Sequence, residues 1–453
     1  MESNLFAKTP PVRLFFLAAI PGAISMLASS LYGLLDGIFV GQFLGETAFA
    51  GLNLAFPFVI INFSLADLIG VGAAVPIAIS LGRKQQDEAD NIFTCACIMI
   101  VGTGAVIGAA LYAAAPFLIG MMGAEGELAR MAVEYMRVYA LCSPVTTIVF
   151  AMDNFLRISG KIRGSMALNI FMSALSMLLE FLFLYVFRFG VWGAALATCA
   201  SMFVCALAAF FVFARGKLAL HFIRPRFRLQ MIRQIIACGT PNFLSNIAGR
   251  ITSILMNMVL LRFGGESAVS IYGVLMYVDG VVQPILYGVC DSLQPAVGYN
   301  WGAGRRDRVR AIERCCFTAG AAISLLSAVV IFLFPRQITG LFVQDMDAAF
   351  LSTAVLALQL FSATYLTKWF GFAAQGYMLA VEKSVYATLI SACTALAFPL
   401  LFIGVFWALG LTGIWLNFAA TSALAAMLAG VLLLRFRKEM LRLDQAEGAQ
   451  TAG

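Results

Sequence analysis

Apolar runs of about bilayer length recur roughly twelve times along this chain, more apolar surface than a soluble core could bury. Mean hydropathy is +0.92 and only 12% of the 453 residues are charged. The first run, Leu14–Phe39, is already long enough to cross a hydrocarbon layer of about 30 Å as a helix. Helices satisfy their own backbone hydrogen bonds in lipid. The pattern therefore predicts an all-α polytopic membrane protein with twelve spans, at 14–39, 50–80, 92–119, 131–153, 165–187, 192–214, 235–262, 268–298, 312–334, 350–372, 385–407 and 411–434. Functional chemistry must then come from the few polar side chains among them.

Lys and Arg number 30 against 23 Asp and Glu, a net charge of +7. In a soluble protein that excess would suggest nucleic acid; here the charges sit in short loops and report orientation. Lys8, Arg83, Lys84, Lys161, Arg163, Lys217, Arg305, Arg306, Lys383 and Arg435 collect on one side, and the opposite connections hold only Arg130, Arg137, Arg188, Arg262 and Arg336. This places both termini in the cytoplasm and makes the number of crossings even. Leu14–Phe39 is too long for a cleaved signal and is expected to remain. The ten cysteines lie in or beside apolar runs as small buried side chains, and His221 completes no ligand set, so no metal or cofactor is expected. No nucleophile–base pair supports an enzyme. With no nucleotide loop, energy must come from a proton gradient or, alternatively, a sodium gradient.

The two halves echo each other at an offset of about 220 residues: Pro21 answers Pro241, Pro76 answers Pro295, and Gly190-Val-Trp-Gly193 answers Gly410-Leu-Thr-Gly413. Six crossings per copy return the chain to the same side, giving a parallel repeat. The expected organisation is an N-terminal lobe at 1–214, a basic cytoplasmic linker at 215–234, a C-terminal lobe at 235–434 and a cytoplasmic tail at 435–453. Two facing lobes suit an alternating-access transporter better than a channel.

The segment Asp36-Gly-Ile-Phe-Val-Gly41, with Asn53 to Pro57, Gly72 to Gly82, Asn169 and Glu180, Gly190–Gly193, and Gln294-Pro295 with Gly298, resembles the multidrug and toxin extrusion (MATE) family, most closely its MepA-like bacterial branch. The resemblance runs from about Leu14 to Arg435. It implies a V-shaped, two-lobed antiporter that expels bulky, often cationic compounds against inward protons or sodium. Some branches place essential acids in the seventh and tenth helices, and here neither predicted span carries a carboxylate. Coupling is therefore expected mainly in the first lobe.

The ion-coupling candidates are Asp36, Glu180 and, second, Asp67. An intramembrane carboxylate costs about 3 kcal/mol on insertion scales and needs a partner, a proton or a watery cavity. Asp36 could instead be a fixed partner to a neighbouring helix. Glu180 sits in a wholly apolar run, where ionisation would attract a lipophilic cation and protonation would release it. Candidate cavity residues are Asn169, Tyr32, Phe56, Phe155, Met256, Asn257, Tyr272, Met276, Tyr277, Gln283 and Tyr287, whose aromatic faces and thioethers could take planar cations of several shapes. Gating or electrostatic support is expected from Arg250, Asp279, Asp291, Pro21, Pro241 and Pro295. Arg250, read as the only basic residue deep in a span, is either a buried countercharge or a modulator of a carboxylate. Asp153 reads as a helix-end charge partner. The expected partners are cationic or amphipathic drugs and membrane lipids, for a monomer without nucleic acid. The competing readings are a lipid-linked precursor flippase, which should carry more basic cleft residues, and a gated channel or membrane scaffold.

Overall fold

The computed structural model describes residues 4–216, 218–291, 293–342 and 348–451. Lys217 of the expected linker and residues 452–453 of the expected tail lie outside them. Every regular element is helical: α1 Asn4–Lys8, α2 Pro11–Leu44, α3 Glu46–Gly82, α4 Gln86–Met121, α5 Gly126–Thr146, α6 Ile148–Ile158, α7 Ile162–Phe181, α8 Val191–Ala214, α9 Leu229–Asp291, α10 Gln294–Gly302, α11 Arg306–Leu333, α12 Pro335–Phe342, α13 Ala348–Ser362, α14 Thr364–Ala380, α15 Ser384–Ala392, α16 Phe398–Val405 and α17 Gly410–Thr451. A π turn continues α7 over Leu182–Val186, and another joins α15 to α16 over Cys393–Ala397.

Among the described residues, eleven helical stretches are long and apolar enough to cross a bilayer. One of them, Leu229–Gly302, runs 74 residues. It is two crossings, because Gly265 takes φ 63° and ψ −156° and turns the chain back. The reversal is visible in the 3.2 Å hydrogen bond that the Tyr272 hydroxyl donates to Ser253 Oγ. Nineteen residues of unbroken helix would hold these groups roughly 28 Å apart. The count is therefore twelve. Gly45 makes the corresponding turn between α2 and α3 at φ 87°, and Gly190 and Gly410 open their helices at φ 74° and 60°. These left-handed conformations favour glycine, so the sequence offset reappears as repeated backbone geometry.

Contacts divide the chain into two compact units. The first holds residues 1–243 and 287–312, the second 244–286 and 313–453. The first unit thus includes both ends of α9, because they pack backbone to backbone on α2 and α3. A methyl carbon at Gly239 would lie 1.8 Å from the Leu68 carbonyl oxygen of α3, and one at Gly288 would lie 2.4 Å from the Ala23 backbone nitrogen of α2. Phe93, Phe155, Phe213 and Ile235 form one apolar core of this unit; Val40, Leu52, Tyr135, Tyr139 and Leu184 belong to another. The connector after α8 is strapped to α4: Arg226 N–H donates to Asn91 Oδ1 at 2.8 Å, and the Asn91 amide donates back to the Arg226 carbonyl at 3.1 Å.

The second unit is built around Met256, Tyr272, Leu275, Phe361, Tyr365 and Trp415. Its last helix does not stop at 434 but continues as α17, where Arg437 pairs with Glu313 at 3.0 Å and Lys383 with Glu439 at 2.8 Å.

Candidate functional site

Within the first unit, α2 and α7 bring Asp36 and Glu180 together, and their carboxyl groups interact directly through space. Glu180 is fully buried and Asp36 nearly so. Among the described residues, no hydrogen bond reaches Asp36 Oδ1 or either Glu180 oxygen. Tyr32, Tyr135 and Tyr139 lie within electrostatic reach of Asp36, and the Tyr32 hydroxyl bonds Thr198 of α8. Ser176 and Ser201 share a further hydroxyl contact. The helix carrying Glu180 changes from α to π at Leu182, a distortion common at functional sites. Two buried carboxylates with no cationic partner among the described residues cannot both stay charged at an acceptable cost, so a proton or an external cation must neutralise them.

A second polar cluster lies toward the cytoplasmic side of the same unit. Asp153 pairs with Arg157, accepts from Ser165, and accepts from the Asn169 amide at 2.9 Å. Asp67 and Asp291 interact electrostatically with this cluster, through Asp153 and Arg157 respectively. Asp291 also accepts from Gln294 at 2.9 Å. Asp153 and Arg157 therefore form a buried pair at helical i,i+4 spacing on α6, which runs past the expected span end at 153. Asn169 thus belongs to this cluster, eleven residues along α7 from Glu180. Pro295 stands in the first turn of α10, where it removes no helical hydrogen bond. Pro241 is buried in α9, and Pro21 lies inside α2.

Several expected cavity residues are core instead. Phe155 is fully buried edge-to-face on Phe93 at 5.1 Å, and Met256 is 1% exposed in the second unit's core. Both were placed by residue type, and helical phase turns them inward. Tyr272 is buried against Phe418, and Asn257 donates to the Ser253 carbonyl. Phe56 and Tyr277 are exposed, whereas Met276 and Tyr287 are half-buried. Gln283 has its Oε1 buried without a hydrogen bond among the described residues. Arg250 is exposed and pairs with no acid among the described residues, so it is not a buried countercharge. It is also not the only cation deep in a span. Lys368 of α14 lies 2.5 Å from Asp279 of α9, and Tyr365 donates to the same carboxylate oxygen at 2.7 Å. A groove of about 740 Å³ at the outer ends of α4, α5 and α8, lined by Tyr112, Arg130, Glu134, Arg137 and Trp192, contains none of the expected site residues.

The MatE family model matches this chain twice, over residues 21–182 and 241–403, the same offset that the landmark prolines and glycines show. The chain belongs to the MatE family. It is 25% identical over 450 residues to the multidrug export protein MepA of Staphylococcus aureus, covering 98% of this chain and 97% of that protein. MepA of Staphylococcus saprophyticus is 26% identical over 437 residues, with 95% and 94% covered. Among solved structures, an outward-facing multidrug resistance MATE family transporter of the MOP superfamily matches with TM-score 0.90 and 24% identity, covering 97% of this chain and 98% of that one. A MOP superfamily transporter from Pyrococcus furiosus, described as having a binding pocket of reversed polarity, matches with the same TM-score, identity and coverage. These structures share the twelve-helix, two-lobed fold. This MatE protein is a multi-pass protein of the bacterial cytoplasmic membrane and not an enzyme.

The buried pair on α6 gives a stability test within this MatE fold. Arg157→Met strands the Asp153 carboxylate and is expected to cost about 3–5 kcal/mol, lowering the unfolding midpoint in detergent. Asp153→Asn combined with Arg157→Met should recover most of the loss, because neither charge is then left alone. Equal destabilisation in the single and double variants would show that packing, not charge, is what Arg157 supplies.

Proposed function

We propose that this chain is a secondary active multidrug exporter that antiports cationic or amphipathic compounds against inward protons by alternating access. Residues 1–214 and 235–434 act as its two moving lobes, and the protein works as a monomer. The reading rests above all on the buried Asp36–Glu180 pair, whose Asp36 Oδ1 and two Glu180 oxygens find no hydrogen-bonding partner, cationic or neutral, among the described residues. A lipophilic cation and a proton can each supply the missing positive charge, and occupancy by one removes the reason for the other. Exclusion of this kind at one site is the minimum requirement for antiport. Protons entering from outside displace the drug, and their release toward the cytoplasm admits the next molecule. The Staphylococcus relatives are named multidrug export proteins, which supports the exporter reading.

The direct test is ethidium uptake into proteoliposomes of inverted orientation under imposed proton or sodium gradients. Uptake driven by a proton gradient and indifferent to sodium is the expected result. Uptake driven by sodium alone would reassign the ion, and uptake indifferent to both would remove the antiport reading.

A further inference from the structure

The groove of about 740 Å³ at the outer ends of α4, α5 and α8 takes no part in the proposed cycle, yet its lining is ordered by charge. Along α5 the wall carries Arg130, Glu134, Arg137 and Leu141, spaced by four, three and four residues and therefore on one helical stripe. From outside inward the stripe runs positive, negative, positive, apolar. Its depth follows from helix length. The 36 residues of α4 make a rod of about 54 Å, so a centred helix projects about 12 Å beyond a hydrocarbon layer of about 30 Å at each end. Tyr112 lies about 14 Å from the outer end of α4 at Met121, and Arg137 about 16 Å into α5 from Gly126. Both stand near the boundary between acyl chains and headgroups. Trp192, also in the lining, stacks on Phe189 at 4.9 Å, and aromatic rings of this kind are enriched at that level. Arg137 is half-buried and held in place: its Nε donates to the Tyr112 carbonyl at 3.4 Å, and its guanidinium carbon lies 5.0 Å from the centre of the Tyr112 ring. Its two amino groups make no hydrogen bond among the described residues. Glu134, one turn outward and also half-buried, has neither a hydrogen bond nor an ion pair among them, and Arg130 turns to Glu127 at 3.7 Å instead. Leu141, on the inward side, is 74% exposed.

We propose that this groove binds an outer-leaflet phospholipid whose headgroup carries a primary ammonium, as phosphatidylethanolamine does. The order of charges along α5 matches the order of groups in such a lipid. Its phosphate meets the two amino groups of Arg137, which present a fork of donors to the phosphate oxygens. Its ammonium, one ethanolamine link further out, meets Glu134, which stands about 4.5 Å outward of Arg137 along the helix axis. The acyl chains run inward over Leu141, where apolar surface is already exposed. Other headgroups use only part of the stripe. A glycerol headgroup satisfies Arg137 but leaves Glu134 beside a second anion. A choline headgroup offers Glu134 a quaternary ammonium with no N–H to donate. The opposite charges of Glu134 and Arg137 therefore select for a headgroup that carries both signs and can donate from its cation.

The test titrates the full-length protein in detergent with dioleoyl phosphatidylethanolamine, phosphatidylglycerol and phosphatidylcholine, and follows the tightest bound lipid by native mass spectrometry. The ethanolamine lipid is expected to bind at least about tenfold more tightly than the other two. Glu134→Gln should bring the three to within about twofold of one another, because only the ammonium contact is lost. Arg137→Met should weaken all three at least about tenfold, because the phosphate is common to them, and Arg137→Lys, which keeps the charge, should restore much of that loss. Glu134→Lys should reverse the preference in favour of the glycerol lipid. Neither side chain is fully buried, so unfolding midpoints should stay near that of the unsubstituted protein. Equal binding of the three lipids by the unsubstituted protein, or an ethanolamine preference that survives Glu134→Gln, overturns the proposal. Glycerophosphoethanolamine, the same headgroup without chains, should compete at least about a hundredfold more weakly than the whole lipid. Competition as strong as the lipid's own would make the groove a site for a soluble phosphate ester and overturn the lipid assignment.

Discussion

Glu180→Gln is expected to bring proton-driven ethidium uptake down to that of protein-free vesicles, and Asp36→Asn to do the same. The amides keep the shape of the side chains but cannot exchange a proton for a drug cation, so the linkage between the two gradients is cut. Binding alone need not vanish, because the tyrosines around the pair still offer aromatic faces. A direct readout is proton release on adding ethidium to protein in weakly buffered detergent: present in the unsubstituted protein and absent in both variants. Folding should not suffer. Asp36 Oδ1 and both Glu180 oxygens find no donor among the described residues, so replacing one carboxylate removes a desolvation cost and the repulsion between two like groups. The unfolding midpoint should stay level or rise. Full gradient-driven uptake by Glu180→Gln would move coupling away from this pair, with the Asp67, Asp153 and Asp291 cluster next in line.

How far the sequence could be read depended on how many explanations each residue type allows. A carboxylate inside an apolar run allows few, so Asp36 and Glu180 were found individually. Their adjacency was not legible, since it depends on how α2 packs on α7. The reversal at Gly265 falls between the expected spans ending at 262 and beginning at 268, and its match to Gly45 at the repeat offset shows only in the backbone angles. Aromatic and thioether residues serve a core or a cavity equally well, and only helical phase separates the two; that is why Phe155 and Met256 were misplaced. Lys368 was missed for a different reason. A span ending at 372 puts it in the last turn, where a long basic side chain snorkels to the interface, whereas α14 continues to Ala380 and leaves it deep. Arg157 has the same history. The span was ended at 153, but α6 runs to Ile158 and carries Asp153 and Arg157 at a spacing that could have flagged the pair.

Gly239→Ala carries the largest expected conformational effect. Its added methyl carbon would lie 1.8 Å from the Leu68 carbonyl oxygen and 2.6 Å from the attached carbon, and both are backbone atoms that cannot rotate away. The facing position is equally tight: a methyl at Gly72 would lie 2.1 Å from the Ile235 carbonyl oxygen. Helices α3 and α9 must therefore separate. Overpacking of this kind costs about 1–3 kcal/mol or more, and each 1.4 kcal/mol moves a two-state equilibrium about tenfold. In a protein that alternates between two arrangements, the one with this seam closed should lose roughly 10–100-fold in population. Cys238 reports the change, because it is next to Gly239 and is 3% exposed. Labelling with N-ethylmaleimide, read site by site from peptide masses, should quicken at least about tenfold at Cys238 in Gly239→Ala. Gradient-driven transport should fall with it, since a cycle held to one arrangement cannot turn over. Gly302→Ala tests the contact of α10 on the same α3, where the added methyl would lie 2.2 Å from the Ile79 carbonyl oxygen. Gly249→Ala is the control: nothing lies within 4 Å of the added methyl, so labelling and transport should stay at the unsubstituted level. If Gly239→Ala left Cys238 shielded and transport intact, α3 and α9 would have to accommodate the methyl locally, and the glycines would not set how closely the helices approach.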